Sequence, residues 1–283
     1  MQRYQVVTQN DIERIHETSL RIMEEVGVVF SYEPARNILA KGGAKVDGKT
    51  VRFPPEMVER NLKLIPSSFK LHARNPKKDV EINTRDTVYA GPEGPPFVLD
   101  LDKGRRSSTL EDFKNLAKLC QMLDNIGVQG QAYCEPNDVE VKMRHLELTY
   151  YALKYNEKPL MGSVLGYQDA KDCIEMMAIA HGGIDAIKAR PVITSIPCSL
   201  TPLSYDDKMA GAIIAYAEYG QPQLVNSLSI AGATNLTTIA GAIALQNAEV
   251  LAGIVLAQLV NPGTPIMYGA SGSNADMRTG SLC

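Results

Sequence analysis

The sequence contains no tryptophan and no C-x-x-C pair, and its five cysteines (120, 134, 173, 198 and 283) are odd in number and irregularly spaced. That usage argues against a disulfide framework and fits a reducing, cytoplasmic setting. Histidine is scarce. His16, His72, His145 and His181 show no H-x-H, H-x-x-x-H or H-E-x-x-H spacing, so no metal site is expected. The chain also lacks a Walker-type phosphate loop, a G-x-S-x-G elbow and a G-x-G-x-x-G turn after its first parallel-type strand. Net charge is −3 and the basic residues fall in pairs (Lys77-Lys78, Arg105-Arg106), not stripes, so no nucleic-acid surface is expected. The first residues, MQRYQVVTQND, have no cationic start followed by an apolar run, so no secretory signal is expected. Leu236 to Val260 is long and apolar, but Gln246, Asn247, Glu249 and Gln258 interrupt it. Polar groups in mid-segment suit a buried helix better than a membrane span.

What is present is the balance of a soluble globular chain, 45% apolar and 22% charged over 283 residues, enough for a large core. Thr8 to Asp11 forms a capping box, and Ile12, Ile15, Ile22 and Val26 share the face of a first helix that Gly27 stops. A second helix is expected from Pro34 to Gly42, a hairpin around Asp47-Gly48, and a short helix opened by Pro54-Pro55. Short apolar runs at 69–71, 80–82, 88–90 and 97–101 suggest small antiparallel strands. Residues 1–105 are therefore expected to form a mixed α+β cap.

From residue 106 to 283 the texture alternates. A helix capped at Ser108–Glu111 precedes strand candidates at 127–132, 160–165, 191–196, 223–228 and 265–268. Helices are expected near 138–155, 168–181, 204–219 and 234–260. Alternation of this kind predicts an α/β fold with a parallel sheet, here a (β/α)8 TIM-type barrel. Five to six strands are fewer than eight, so the barrel is expected to be incomplete, with its C-terminal part missing and an open edge that favours a homo-oligomer.

In a barrel the C-terminal strand ends meet at one mouth. The residues expected there are small and uncharged: Gln129, Gln131 and Tyr133; Ser163; Ser195, Cys198 and Ser199; Asn226 and Ser229; Tyr268 and Ser271. Such a set holds a small ligand and leaves hard chemistry to a cofactor. No strand end clearly offers a Schiff-base lysine, which argues against an aldolase-type barrel.

The stretch NAEVLAGIVLAQL (Asn247 to Leu259), followed by Pro262-Gly263 and Tyr268-Gly269, resembles the trimethylamine methyltransferase family. IPCSLTPL (Ile196 to Leu203) and IHETSLRIMEEVGV (Ile15 to Val28) look like the same family. The resemblance implies transfer of a methyl group from trimethylamine or a betaine-like quaternary amine. The acceptor would be Co(I) of a corrinoid (cobalamin) carried by a partner protein and not bound by this chain alone, which has no D-x-H-x-x-G sequence. Co(I) supplies the nucleophile and a quaternary ammonium leaves as a neutral amine, so the enzyme needs neither a nucleophile nor a general acid. On this reading Gln131, Tyr133, Ser195, Asn226 and Tyr268 bind the donor, Tyr268 through a cation–π contact. Ser271, Asn274 and Asp276 line the rim where the corrinoid docks. The alternative is a truncated, non-catalytic barrel that binds small methylated amines.

Overall fold

The computed structural model describes residues 6–84, 86, 88–91, 94–130 and 132–282. The N-terminal part follows its local signals. Helix α1 (Gln9–Arg21) is capped by Thr8, whose hydroxyl accepts from the Asp11 backbone while Asp11 accepts the Thr8 backbone N–H. The helix continues as a π-turn over Ile22–Val26, and the chain turns at Gly27 with φ 87°. A Cβ there would lie 2.7 Å from the Val51 carbonyl oxygen, so only glycine fits.

Strand β1 (Val28–Phe30) leads to α2 (Glu33–Lys41). The hairpin of β2 (Lys45–Asp47) and β3 (Thr50–Arg52) turns at Gly48, and α3 (Pro55–Leu62) follows. Two antiparallel hairpins come next. One joins β4 (Phe69–Leu71) to β5 (Val80–Ile82). Beyond β6 (Tyr89–Ala90), the other joins β7 (Phe97–Asp100) to β8 (Gly104–Ser107).

The expectation that all these strands are antiparallel fails at β6. It runs parallel to β9 (Ile126–Val128) and opens the parallel ladder. A short apolar run shows no periodicity that could reveal its partner. From β9 the ladder runs in sequence order. The Gln129–Leu160 bridge leads to β10 (Leu160–Met161), which pairs with β11 (Ile193–Thr194). The Ser195–Gln223 bridge continues the ladder beyond β11. β12 (Cys198–Ser199) extends it, and β13 (Ser204–Tyr205) leaves it to pair with β1. The long β14 (Gln223–Ala231) pairs with β12, β15 (Ile266–Tyr268) and β16 (Ser271–Asn274), always in parallel. The result is an α/β arc of six successive parallel strand positions. Among the described residues it does not close into a barrel.

Helices lie between the strands: α4 (Leu110–Met122), α5 (Val141–Tyr155), α6 (Tyr167–His181), α7 (Ile184–Ala189), α8 (Asp207–Glu218) and α9 (Ile239–Val260). Two boundaries differ from expectation. α8 starts after Asp206, whose carboxylate accepts the Met209 N–H, because Ser204-Tyr205 is taken by β13. α9 starts at Ile239 and not at 234. By length and composition it is apolar enough to cross a membrane, but 72% of its most apolar window is buried inside the protein.

One apolar cluster joins Met23, Phe30, Leu39, Phe53 and Val58 to Ile213, Val225 and the buried side of α9. It spans the boundary anticipated near residue 105. A second cluster fills the space among α4 to α8. In a third, Leu71 meets Val128 and Met161, with Phe69, Val80, Ile82 and Ile196 around them. The His72 and Arg74 backbone N–H groups donate to Pro191 and Glu157 carbonyls just ahead of β11 and β10. The β4–β5 hairpin thus covers the N-terminal ends of the parallel strands and leaves their C-terminal ends as the accessible end.

Candidate active site

Hydrogen bonds and core contacts decide which way each strand residue points. On β14, the Gln223 amide donates to the Ile213 carbonyl of α8, Val225 packs with α9, and the Ser227 hydroxyl donates to Glu249 of α9. These odd-numbered residues face the helices, so Leu224, Asn226, Leu228 and Ile230 face the inside of the arc. Parallel partners share a face. Cys198 therefore lies inside with Asn226, Met267 with Leu224, and Ser271 with Leu228.

Among the described residues, the inner face at the C-terminal ends of β12 and β14 is polar but uncharged. Asn226 is 6% exposed, its amide NH₂ lies 3.4 Å from the Cys198 sulfur, and its Oδ1 accepts from the Ser271 hydroxyl at 3.3 Å. Gly269 permits this arrangement, because a Cβ there would sit 2.9 Å from both Cβ and Oδ1 of Asn226. A thiol sulfur is a weak acceptor, so the Asn226 NH₂ is available to a better one.

The outer face of the same strands carries a different constellation. Glu249, on α9, is fully buried. Its carboxylate accepts from the hydroxyls of Ser199 (2.5 Å), Ser227 (2.6 Å) and Thr201 (2.9 Å) and from the Leu203 N–H (2.7 Å). Tyr205 donates its hydroxyl to the Glu249 backbone carbonyl. Ser199 and Ser227 are direct neighbours in the β12–β14 ladder, so one carboxylate ties two strand ends and the 200–203 turn to α9. Sequence reasoning had used Glu249 only as a polar interruption. The available signal was a single acid inside thirteen otherwise uncharged residues, Asn247 to Leu259.

The structure brings only part of the anticipated donor set together. Asn226 is inside, next to Ser271. Tyr268 does not share that mouth: it pairs with Val225, faces the helices, and its hydroxyl donates to Asn247 of α9 at 2.9 Å. Burial pushes that phenol up to about 12 although half the residue is exposed. Tyr133 is also turned away. It packs on Phe113 of α4 inside the helix layer, where burial drives its phenol above the ordinary range. Ser195 is fully buried on the outer face opposite Gln223; its hydroxyl has no partner, and neither does the Gln223 Oε1. In each case strand alternation, which a polar residue at a strand end does not reveal, decides the face. Gln131 lies outside the described residues.

Of the anticipated corrinoid-facing residues, Ser271 is inside the arc. Asn274 lines a cavity of about 320 Å³ with Ser229, Gln246 and Gly272, between β14 and α9. Asp276 lies in an exposed turn, where the Arg278 and Thr279 N–H groups hold its carboxyl below the usual range. No group of three His, Cys, Asp or Glu side chains suited to a metal exists among the described residues.

Residues 1–283 match the model of the trimethylamine methyltransferase (MTTB) family. The chain belongs to that family. It is 45% identical over 280 residues to glycine betaine methyltransferase of Desulfitobacterium hafniense (strain Y51), covering 99% of this chain and 58% of that protein. It is 31% identical to proline betaine:corrinoid methyltransferase of Eubacterium limosum, covering 96% of this chain and 57% of the relative. The chain therefore spans somewhat more than half the length of the curated relatives it matches. Among solved structures, the hydroxylamine complex of MtmB superposes with a TM-score of 0.59 at 11% identity, over 96% of this chain and 55% of the other. That likeness concerns the fold.

Proposed function

We propose that the protein of which these residues form part transfers a methyl group from a quaternary amine of the glycine betaine class to the cobalt of a corrinoid held by a partner protein. The identity of 45% to a glycine betaine methyltransferase, over nearly the whole chain, carries this reading. In it the parallel arc closes as a (β/α)8 barrel in the full-length protein, and the donor sits at the C-terminal end of the inner face. Reduced cobalt would supply the electron pair that forms the new carbon–metal bond. The C–N bond breaks toward nitrogen, and the amine leaves neutral with its lone pair.

The chain's own residues then have to bind and orient. A neutral inner face fits, since no proton is moved in that step. The Asn226 NH₂ donates to the donor's carboxylate, Ser271 fixes the Asn226 amide, and the loop from Ser271 to Asp276 forms part of the corrinoid protein's rim. Holding an N-methyl carbon in line with the metal is the catalytic contribution of such a site.

The test is methylation of the reduced corrinoid partner by full-length enzyme, followed by visible absorbance, with glycine betaine, proline betaine, carnitine and trimethylamine as donors. Glycine betaine is expected to give the highest kcat/KM. Turnover of trimethylamine alone would overturn the assignment of substrate class.

A further inference from the structure

We propose that Glu249 is the buried counter-charge for the donor's quaternary ammonium, acting across the β12–β14 ladder from the helix side. The inference rests on the methyl-transfer reading and names a residue that sets specificity within it. Three observations support it.

The first is where the described residues place their tyrosines. A methylated ammonium is usually held over aromatic faces. Tyr133, Tyr205, Tyr216 and Tyr268 all point into the helix layer, where their hydroxyls or rings are engaged. Among the described residues, the inner face of β12, β14 and β16 carries Cys198, Asn226, Ser271 and the aliphatic Leu224 and Leu228.

The second is the uncompensated carboxylate. Among the described residues no Lys, Arg or His lies within ion-pair distance of Glu249, while the ion pairs that do form are elsewhere. A buried carboxylate is costly unless it is hydrogen-bonded, and here four donors satisfy it without cancelling its charge. An amide or an apolar residue could fill the same volume without that cost.

The third is position. Ser199 and Ser227, which hold the carboxylate, are the chain neighbours of Cys198 and Asn226, whose side chains face inward. Successive strand residues point to opposite faces, so the carboxylate and an inner-face ligand are separated by a single strand layer. The carboxylate is fully buried, so its field is screened less than that of a surface charge. At a separation of about 10 Å and an effective dielectric of about 20, a unit charge favours a cation over its neutral isostere roughly tenfold.

The experiment compares glycine betaine with 3,3-dimethylbutanoate, which has the same shape and carboxylate but carbon in place of the charged nitrogen. Calorimetric titration of full-length enzyme without its corrinoid partner gives both dissociation constants. For Glu249→Gln, the preference for betaine over dimethylbutanoate is expected to fall about tenfold, because both ligands gain equally from relief of carboxylate repulsion and only betaine loses the attraction of its ammonium. An equal change for the two ligands, or no change for either, would overturn the proposal and leave Glu249 as a strand-to-helix tie. If Glu249→Gln does not fold, Ser199→Ala decides: it keeps the charge and removes one donor, so the preference for betaine should be kept or increased. A loss of preference in Ser199→Ala would mean that strand position, not charge, sets selectivity. A wild-type enzyme that binds no methylated ammonium would overturn the methyl-transfer reading, and this proposal with it. Betaine binding with unchanged selectivity in Glu249→Gln would overturn this proposal alone.

Discussion

At the scale of single residues, the inner face is controlled by a close approach between two strands. Gly269 passes so near Asn226 that a methyl group would meet Leu224 at 2.6 Å and Asn226 at 2.9 Å. Gly269→Ala should displace the Asn226 amide. Overpacking of this kind costs about 1–3 kcal/mol, and a misplaced binding amide should raise the betaine KM roughly tenfold. Steady-state kinetics of the full-length enzyme, with a parallel unfolding curve, separate the two effects. An unchanged KM would remove Asn226 from the donor site. Tyr268 gives the opposite expectation. Its hydroxyl spans to Asn247, which in turn donates to the Ser19 hydroxyl of α1, so it joins β15 to two helices. Tyr268→Phe should cost about 0.5–1.5 kcal/mol of stability and leave the betaine KM within twofold. A large KM effect with unchanged stability would put the ring back in the mouth.

At the scale of elements, α4 is held to the β7–β8 hairpin through Asp112. That residue caps the helix with Thr109 and makes a two-pronged pair with Arg106 at 2.7 Å on each oxygen. The Arg106 guanidinium, helped by the Thr109 hydroxyl and N–H, holds the Asp112 carboxyl well below the usual carboxylate range. A carboxylate depressed in the folded state stabilises above its unfolded pKa of about 3.9 and loses that contribution as pH falls toward the folded value. The melting-temperature advantage of wild type over Asp112→Asn should therefore be constant above about pH 5 and shrink steadily toward pH 2. A constant advantage down to pH 2 would mean that the pair contributes no linked stability. The same helix shows what the sequence could reveal. Thr109 and Asp112 announce the start of α4 locally, as Thr8 and Asp11 do for α1, because a cap is a contact over three residues. Strand partners are not local. Nothing within Val88-Tyr89-Ala90 says that it joins Ile126–Val128 in parallel. Likewise, nothing within the run from Gln223 to Leu228 says that Ser227 faces a glutamate and Asn226 the inside of the arc. The anticipated residues are polar groups chosen at strand ends, and nothing local to them says which side of the sheet they occupy. A one-residue shift exchanges the two sides.

At the scale of the whole molecule, α9 is the element through which the N-terminal layer and the parallel arc meet. Its middle is buried all round. A Cβ at Gly253 would meet the Tyr205 hydroxyl at 2.5 Å and Val225 at 2.7 Å, so the helix lies directly on β13 and β14. On another side the same cluster takes in Phe30, Phe53 and Leu39 from the first sixty residues. Phe30 links the two halves: its ring stacks on Tyr205 with centroids 5.1 Å apart, while β1 and β13 pair in parallel. A mixed N-terminal layer with its own core would melt as a unit of its own. A shared core predicts a single transition for both parts. Phe30→Ala should lower the stability of that transition by about 3–5 kcal/mol, a shift in midpoint of roughly 5 °C for a protein of this length. Calorimetry of the full-length protein can be read beside the loss of near-ultraviolet tyrosine dichroism, which reports largely on the arc. Both signals should move together in Phe30→Ala. If the heat-capacity peak splits and the tyrosine signal stays at its wild-type midpoint, residues before 105 fold independently, and α9 is only their neighbour.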